Sequence, residues 1–192
     1  GVITATELLL GGDADNERTG VFDLSGENDV DRLAFSLIGS LNFNDIDDAQ
    51  VTSLNFVSVC DVSQDESFTQ SDASTKFRLT ANSIGLDQQV SADTIFLTAD
   101  AGISQTGGDL LATNLMLSGS GLFDLTSTTN DTTNLAASID GNLNYTDANA
   151  IQLQSLECDG ITLDGVRVTG NLVVVTDNGD IDQDSNAPVV VG

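Results

Sequence analysis

The sequence predicts an all-β chain that folds as a solenoid of stacked coils. A segment at residues 20–25 (GVFDLS) returns at residues 121–126 (GLFDLT), and residues 33–43 return at residues 135–145 with six of eleven positions identical. Apolar and polar residues alternate within these segments, as they do in strands. Asp, Asn, Ser and Gly are abundant, whereas the helix formers Glu, Lys, Arg and Met are scarce. A self-similar, strand-patterned chain is typical of a stacked array.

The repeated blocks occur in the same order in both halves of the chain. We therefore predict one domain, residues 1–192, made of two imperfect repeats at residues 1–109 and 110–192. Besides the two pairs above, the matching blocks are residues 5–10 with 112–117, 94–98 with 172–176, and 102–105 with 180–183.

The spacing of the blocks predicts an insertion in the first repeat. The offset is 98 residues at Cys60 and Cys158 but 78 residues at the last blocks. The difference is about one coil of roughly 20 residues, and a whole coil can be added because each coil contacts only its neighbours. We expect the extra coil near residues 61–89 and about nine to ten coils in all. A β-sandwich is the alternative, but it rarely absorbs a lone coil.

Local signals indicate where individual strands lie. Leu41 and Phe43 alternate with Asn, as do Leu143 and Tyr145. Two short alternating runs surround a predicted turn at residues 164–165 (DG). The single proline, at position 188, precedes Val189-Val190-Val191 and predicts a strand start there.

The composition restricts the class of partner. Forty per cent of the 192 residues are apolar, which suffices for a core, and the formal net charge is -25. Such a chain repels nucleic acids and anionic membranes, which require a basic surface. No segment has the length of a transmembrane helix, and we expect no signal peptide within this sequence. The chain begins and ends inside its own repeat, so we expect a piece of a longer protein.

Several motifs resemble the repeats of filamentous-haemagglutinin-like bacterial surface exoproteins. They are residues 121–126 (GLFDLT), 130–131 (ND), 141–150 (GNLNYTDANA) and 179–183 (GDIDQ). The resemblance covers nearly the whole chain and implies a right-handed parallel β-helix, an extended rod and a structural or adhesive role. It also implies export of the parent protein to the cell surface or the extracellular space.

Catalysis is not expected. The chain has no histidine, which excludes Ser-His-Asp and Cys-His catalysis and the common zinc sites. The alternative is a carbohydrate-active β-helix enzyme of the polysaccharide lyase or hydrolase type. Its candidate residues are the basic pair Lys76 and Arg78 with Asp72, Asp87 and Asp93. The simpler interpretation is that Lys76 and Arg78 flank an inward Phe77, and a net charge of -25 would repel a polyanionic substrate.

The two cysteines are not expected to form a disulfide with each other. Cys60 and Cys158 lie about five coils apart, or more than roughly 20 Å at about 4.8 Å per coil, which exceeds the limit of about 7 Å between the Cα atoms of a disulfide. We predict two free thiols within the chain.

The aspartates give weak candidates for a calcium site, because hard cations need several oxygens at one point. The candidates are Asp45, Asp47, Asp177, Asp180, Asp182 and Asp184. No Gly and distal Glu follow the last run, so the EF-hand pattern fails. We expect an inward Ile181 between outward aspartates, a solvated acidic face and no resident cofactor. A calcium-stiffened adhesin is the alternative.

The sequence thus favours a structural or adhesive repeat module that acts as a rigid rod and contact surface. The expected partners are further repeats of the same parent chain or identical copies, and glycans or proteins of a host or neighbouring cell. Exposed coil ends are expected to dock onto further coils, since such an end offers unpaired backbone groups.

Overall fold

The computed structural model of the chain describes residues 1–11, 19–36, 38–46, 49–51, 76–87, 89–158 and 160–192, and all regular secondary structure in these residues is β-strand. The described residues include no helix of the length and hydrophobicity that a membrane crossing requires. The strands, in chain order, are β1 (Thr4–Gly11), β2 (Thr19–Ser36), β3 (Ile38–Asp45), β4 (Ala49–Val51), β5 (Lys76–Ala81), β6 (Ile84–Leu86), β7 (Val90–Ala99), β8 (Gly102–Gln105), β9 (Leu110–Leu125), β10 (Asp131–Asp147), β11 (Ile151–Leu153), β12 (Leu156–Cys158), β13 (Ile161–Leu163), β14 (Val166–Val168), β15 (Leu172–Thr176), β16 (Ile181–Gln183) and β17 (Val189–Val191).

Fifteen of these strands form one sheet in which every described pairing is parallel. Leu115 of β9 pairs with Leu135 of β10, and Phe123 pairs with Leu143, so partners are about twenty residues apart. Parallel strands need a crossover connection. Here the next strand of the same chain provides that connection, and each circuit returns one layer further along.

The sheet consists of two stacks of strands that share its longest members. The first stack contains β2, β3, β5, β7, β9, β10, β11 and β16, and the second contains β1, β2, β4, β6, β8, β9, β10 and β15. Strands β2, β9 and β10 belong to both because each continues from one stack into the other. Two short strands, β14 and β17, extend the middle of β10.

The first stack carries a column of buried side chains, one from each layer. Its members are Leu41, Phe77, Ile95, Leu115, Leu135 and Leu153, none more than 6% exposed. The second stack carries Ile84, Ile103, Phe123 and Leu143 in the same way. Each fully buried Leu, Ile or Phe contributes about 1.5–3 kcal/mol relative to an exposed one. The core is therefore a ladder of apolar residues between the two stacks.

The bend from the first stack into the second requires glycine. Gly141 has φ of +156°, and a Cβ there would lie 1.9 Å from the Gly121 carbonyl oxygen of the layer before. The backbone of one layer thus passes too close to its neighbour for any side chain. Both repeats keep glycine at this position, as Gly39 and Gly141, and each pairs with a glycine of the layer before, Gly20 or Gly121.

Within each repeat, the two recurring segments stack directly on each other. Residues 20–24 pair with residues 39–43, and residues 121–125 pair with residues 141–145. The repeats themselves, however, lie on different stacks. Leu41 belongs to the first stack, whereas its counterpart Leu143 belongs to the second.

The predicted insertion lies partly outside the described residues, which resume at residue 76. From there, β5 and β6 form a layer between β3 and β4 on one side and β7 and β8 on the other.

Three local predictions are confirmed. The turn at residues 164–165 separates β13 from β14, and Gly165 has φ of +72°. Strand β17 begins directly after Pro188. Leu41, Phe43, Leu143 and Tyr145 are all buried, as their alternation predicts.

Candidate assembly interface

An asparagine in each repeat joins successive layers through buried hydrogen bonds. Asn130 is 0% exposed, and its Nδ2 donates to the carbonyls of Leu125 and Thr146 at 3.3 and 3.1 Å. Its Oδ1 accepts from the Leu110 N–H at 2.9 Å. One side chain therefore satisfies backbone groups in three segments of two adjacent layers.

Asn28 makes the equivalent contacts in the first repeat. Its Nδ2 donates to the carbonyls of Leu24 and Asn44 at 2.7 and 2.9 Å, and its Oδ1 accepts from the Ile3 N–H at 3.0 Å. The agreement shows that the repeated asparagine has a structural role. The sequence reasoning missed this role, although the identity of Asn28 and Asn130 at matching repeat positions was a usable signal.

Asp45, a weak calcium candidate, is buried and contributes to the same structure. It is 4% exposed, and its Oδ2 accepts from the Val30 N–H at 2.9 Å. Its counterpart Asp147 accepts from the Thr132 N–H at 2.9 Å. In each repeat the aspartate carboxylate thus accepts a hydrogen bond from a backbone N–H of its own coil.

The other calcium candidates do not converge. Asp177, Asp180 and Asp182 are exposed, and Asp184 accepts from the Asn186 N–H through Oδ1 at 2.7 Å. Nowhere in the described part of the chain do three His, Cys, Asp or Glu residues gather in a way that could hold a metal ion. Asp47 lies outside the described residues.

A buried hydroxyl network distinguishes the second repeat from the first. Tyr145 OH donates to Asp147 Oδ2 at 2.8 Å and lies 2.9 Å from Thr132 Oγ1. Burial, with the nearby Asp147 charge, raises the pKa of Tyr145 far above its usual range, despite the opposing hydrogen bond with Thr132. The phenol therefore stays neutral and acts as a donor. The first repeat has Val30 and Phe43 instead.

The basic pair of the enzyme alternative flanks a core residue. Phe77 is 1% exposed between the half-buried Lys76 and Arg78, as the simpler interpretation predicted. Arg78 Cζ lies 5.2 Å from the centre of the Phe96 ring, a cation–π distance. Asp93 is exposed, Asp87 is half-buried, and Asp72 lies outside the described residues.

The antiparallel hairpin β12–β13 covers an outward-facing apolar column. Phe96, Met116 and Ala136 are at most 2% exposed and pack with Cys158 and Leu163 of the hairpin. The Cys158 side chain is therefore part of a second, smaller core. Cys60 lies outside the described residues.

Polar side chains on the outer surface pair from layer to layer. Asn144 Nδ2 donates to Asp124 Oδ1 at 3.0 Å, and Asn42 Nδ2 donates to Asp23 Oδ1 at 2.9 Å in the first repeat. These pairs account for the Asp and Asn that the two repeats keep. Exposed pairs of this kind contribute little stability individually, but they fix the register of neighbouring layers.

The last described layer, formed by β15, β16 and β17 and here called the terminal layer, differs from the layers before it. Each of its strands pairs on one edge only within the described residues. Among the described residues eight large apolar side chains are exposed, and the terminal layer holds five of them, namely Val173, Val175, Ile181, Val190 and Val191, at 43–52% exposure. Ile181 stacks on the buried Ile151 and is itself 44% exposed.

Strand β1 forms the opposite end of the second stack. Leu8 and Leu10 pack against the core but remain partly exposed. The two ends therefore expose core-type residues on strands that run in the same direction. An edge strand with free backbone groups and apolar side chains is a template for a further strand.

Comparison of the chain with protein-family models, with curated proteins and with solved structures gives no match. A function has therefore to be inferred from the residues and their geometry.

Proposed function

We propose that the chain is a right-handed parallel β-helix that serves as a rigid rod and contact module of a long secreted or cell-surface protein. The module extends by stacking coil on coil, either with further repeats of its parent or with identical copies. An adhesive or structural role on the bacterial surface, as in filamentous-haemagglutinin-like exoproteins, suits an acidic rod of this kind.

The terminal layer is the observation that carries this proposal. The Leu143 N–H donates to the Asn171 carbonyl at 2.9 Å. Because alternate residues of a parallel strand bond to the same neighbour, Leu172 and Val174 direct their N–H and C=O groups to the outer edge of β15. A further parallel strand would satisfy those groups and cover Val174, which packs only partly against the core.

Strand β1 of a second copy has the chemistry to take that position. It runs parallel to the other strands of the second stack, and its inward Leu8 and Leu10 would continue the apolar ladder. Such a contact joins two different surfaces, so repetition produces an open filament and not a closed dimer. The net charge of -25 opposes the contact, so salt should strengthen it.

Sedimentation velocity over a concentration series tests the proposal. We expect the chain to form larger species as its concentration rises. This assembly should be stronger in 1 M salt, where charges are screened over about 3 Å, than in 0.05 M salt, where the screening length is roughly 14 Å. Val174→Lys places a charge on the inward side of the edge strand and should keep the chain monomeric.

Val175→Lys is the matched control, because it adds the same charge to the same strand on the outward side. We expect it to assemble as the unmodified chain does. Circular dichroism checks that both variants fold. Two outcomes would contradict the stacking proposal. One is an unmodified chain that stays monomeric at its highest soluble concentration at both salt concentrations, and the other is an equal loss of assembly in the two variants.

A further inference from the structure

A groove of about 620 Å³ lies on the outer face of the second stack. It is separate from the terminal layer, since the residues that line it come from layers before β10. The residues that shape it are Asp31, Ser83, Gly102, Ser104, Leu122 and Asp124.

Glycine keeps the floor of the groove free of side chains. Gly102 has φ of +103°, and a Cβ there would lie 2.3 Å from the Leu122 carbonyl oxygen. Gly85 and Ser104 occupy successive layers of the outward column that continues through Asp124 and Asn144. The groove is therefore built by the backbone and does not depend on a mobile side chain.

Of the four described polar side chains that line the groove, only Asp124 makes the layer-to-layer pairing found elsewhere on this surface. Within the part of the chain that the structure describes, the side chains of Asp31, Ser83 and Ser104 form no hydrogen bond. Asp124 accepts from Asn144 through Oδ1 only, which leaves Oδ2 available. The groove thus combines a floor without side chains and side-chain oxygens that are available to accept hydrogen bonds.

The chemistry of these groups selects a cationic ligand. Among the described residues that line the groove, the two charged side chains are carboxylates, and two hydroxyls supply further acceptors. Leu122, 47% exposed at the rim, offers apolar surface to the methylene stem of a lysine. The net charge of -25 would attract a basic partner from a distance.

We propose that this groove binds an extended lysine-bearing segment of a partner protein, with one ammonium group at Asp31 and another at Asp124. This inference does not depend on the rod function, because no described residue that lines the groove belongs to β1 or to the terminal layer. A monomeric chain would bind the segment equally well.

The test uses isothermal titration of the whole chain with a capped peptide of alternating lysine and serine. Asp31→Asn combined with Asp124→Asn should weaken binding about tenfold. Asp177→Asn combined with Asp180→Asn removes the same charge from exposed positions that do not line the groove. This matched control should change the affinity less than twofold.

A second variant blocks the groove without changing its charge. Ser104 is exposed, so Ser104→Phe is expected to leave the fold intact, which circular dichroism can check. It should abolish the binding that the Asp31 and Asp124 pair supports. Equal loss in the two double variants, or unchanged binding by Ser104→Phe, would show only general attraction to an acidic surface and would overturn the proposal.

Discussion

Two buried asparagines, Asn28 and Asn130, each satisfy backbone donors and acceptors from two successive layers. In a ladder of parallel strands, backbone groups at the turns have no strand partner, and an amide side chain can replace one. Removing the side chain leaves several buried backbone groups without hydrogen bonds.

Asn130→Ala should therefore destabilise the chain by about 2–3 kcal/mol, since each lost buried hydrogen bond costs about 1 kcal/mol and sometimes more. Urea unfolding followed by circular dichroism measures the change. Asn149→Ala, at an exposed position of the following turn, is the control and should change stability by less than about 0.5 kcal/mol. A similar small change for Asn130→Ala would show that the amide does not hold the layers together.

Tyr145 predicts a loss of stability at alkaline pH. Its pKa is raised in the folded chain, so the unfolded phenol ionises first, above its ordinary pKa of 10.0. The stability that this group contributes is full below pH 10 and falls as the pH rises further, by up to about 1.4 kcal/mol per pH unit.

Urea unfolding between pH 9 and pH 12 tests this, with Tyr145→Phe as the comparison. We expect the unmodified chain to lose stability more steeply than the variant above pH 10. The chain has a single tyrosine, so the difference reports on this residue alone. Parallel curves would contradict the buried-phenol account.

Strict alternation predicted the inward residues well, because it follows directly from strand geometry. It could not predict that Phe96, Met116 and Ala136 are also buried. These side chains point outward from the stack, and their burial depends on a hairpin whose position no local pattern reveals. The asparagine contacts were also missed, since an Asn in a β-rich chain is usually assigned to a turn.

At the scale of the element, the hairpin β12–β13 is an attachment to the stack and not a layer of it. Strands β11 and β14, which flank it, both pair with β10. The hairpin can therefore loosen without separating the layers. Its apolar contacts, which include Cys158 and Leu163, are its main link to the stack.

Leu163→Ala should expose Cys158 without unfolding the chain. In a Cys60→Ser background, we expect the remaining thiol to react with a thiol reagent at least tenfold faster than in the parent, while the melting temperature falls by only a few degrees. Thr162→Ala, at the exposed neighbouring position, is the control and should leave the labelling rate unchanged. Equal labelling rates in all three proteins would show that the hairpin does not protect the thiol.

Turn chemistry predicted strand boundaries where the signal was specific. The Asp-Gly pair at residues 164–165 and Pro188 both mark the boundaries that the structure shows. The same pattern did not reveal that β12 and β13 pair antiparallel and form a small sheet of their own beside the parallel one. A tight turn is compatible with either arrangement until the partners of each strand are known.

For the whole molecule, the acidic surface predicts a general response to cations and not a specific calcium site. The net charge of -25 gives self-repulsion that any cation screens. We expect the melting temperature to rise equally with calcium and magnesium at matched ionic strength, and chelator to have no effect in sodium chloride alone. A calcium-specific rise of several degrees would instead support a bound ion and a calcium-stiffened adhesin.

The repeat predicted stacked strands, and the parallel register with partners about twenty residues apart agrees with that prediction. What the sequence could not show is how the two repeats are placed around the stack. The offset between two repeated segments gives only the number of residues between them. The stack that a strand joins also depends on how many of those residues lie in the bends.

The placement of the repeats on different stacks has a consequence for how this molecule presents its surface. The Asp–Asn pair of the first repeat, Asp23 with Asn42, lies on the outside of one stack, and the pair Asp124 with Asn144 lies on the outside of the other. The same motif therefore lies on a different face of the molecule in each repeat. An array that continued this alternation would display each motif on both stacks, and it could contact neighbours on either of them without any change in sequence.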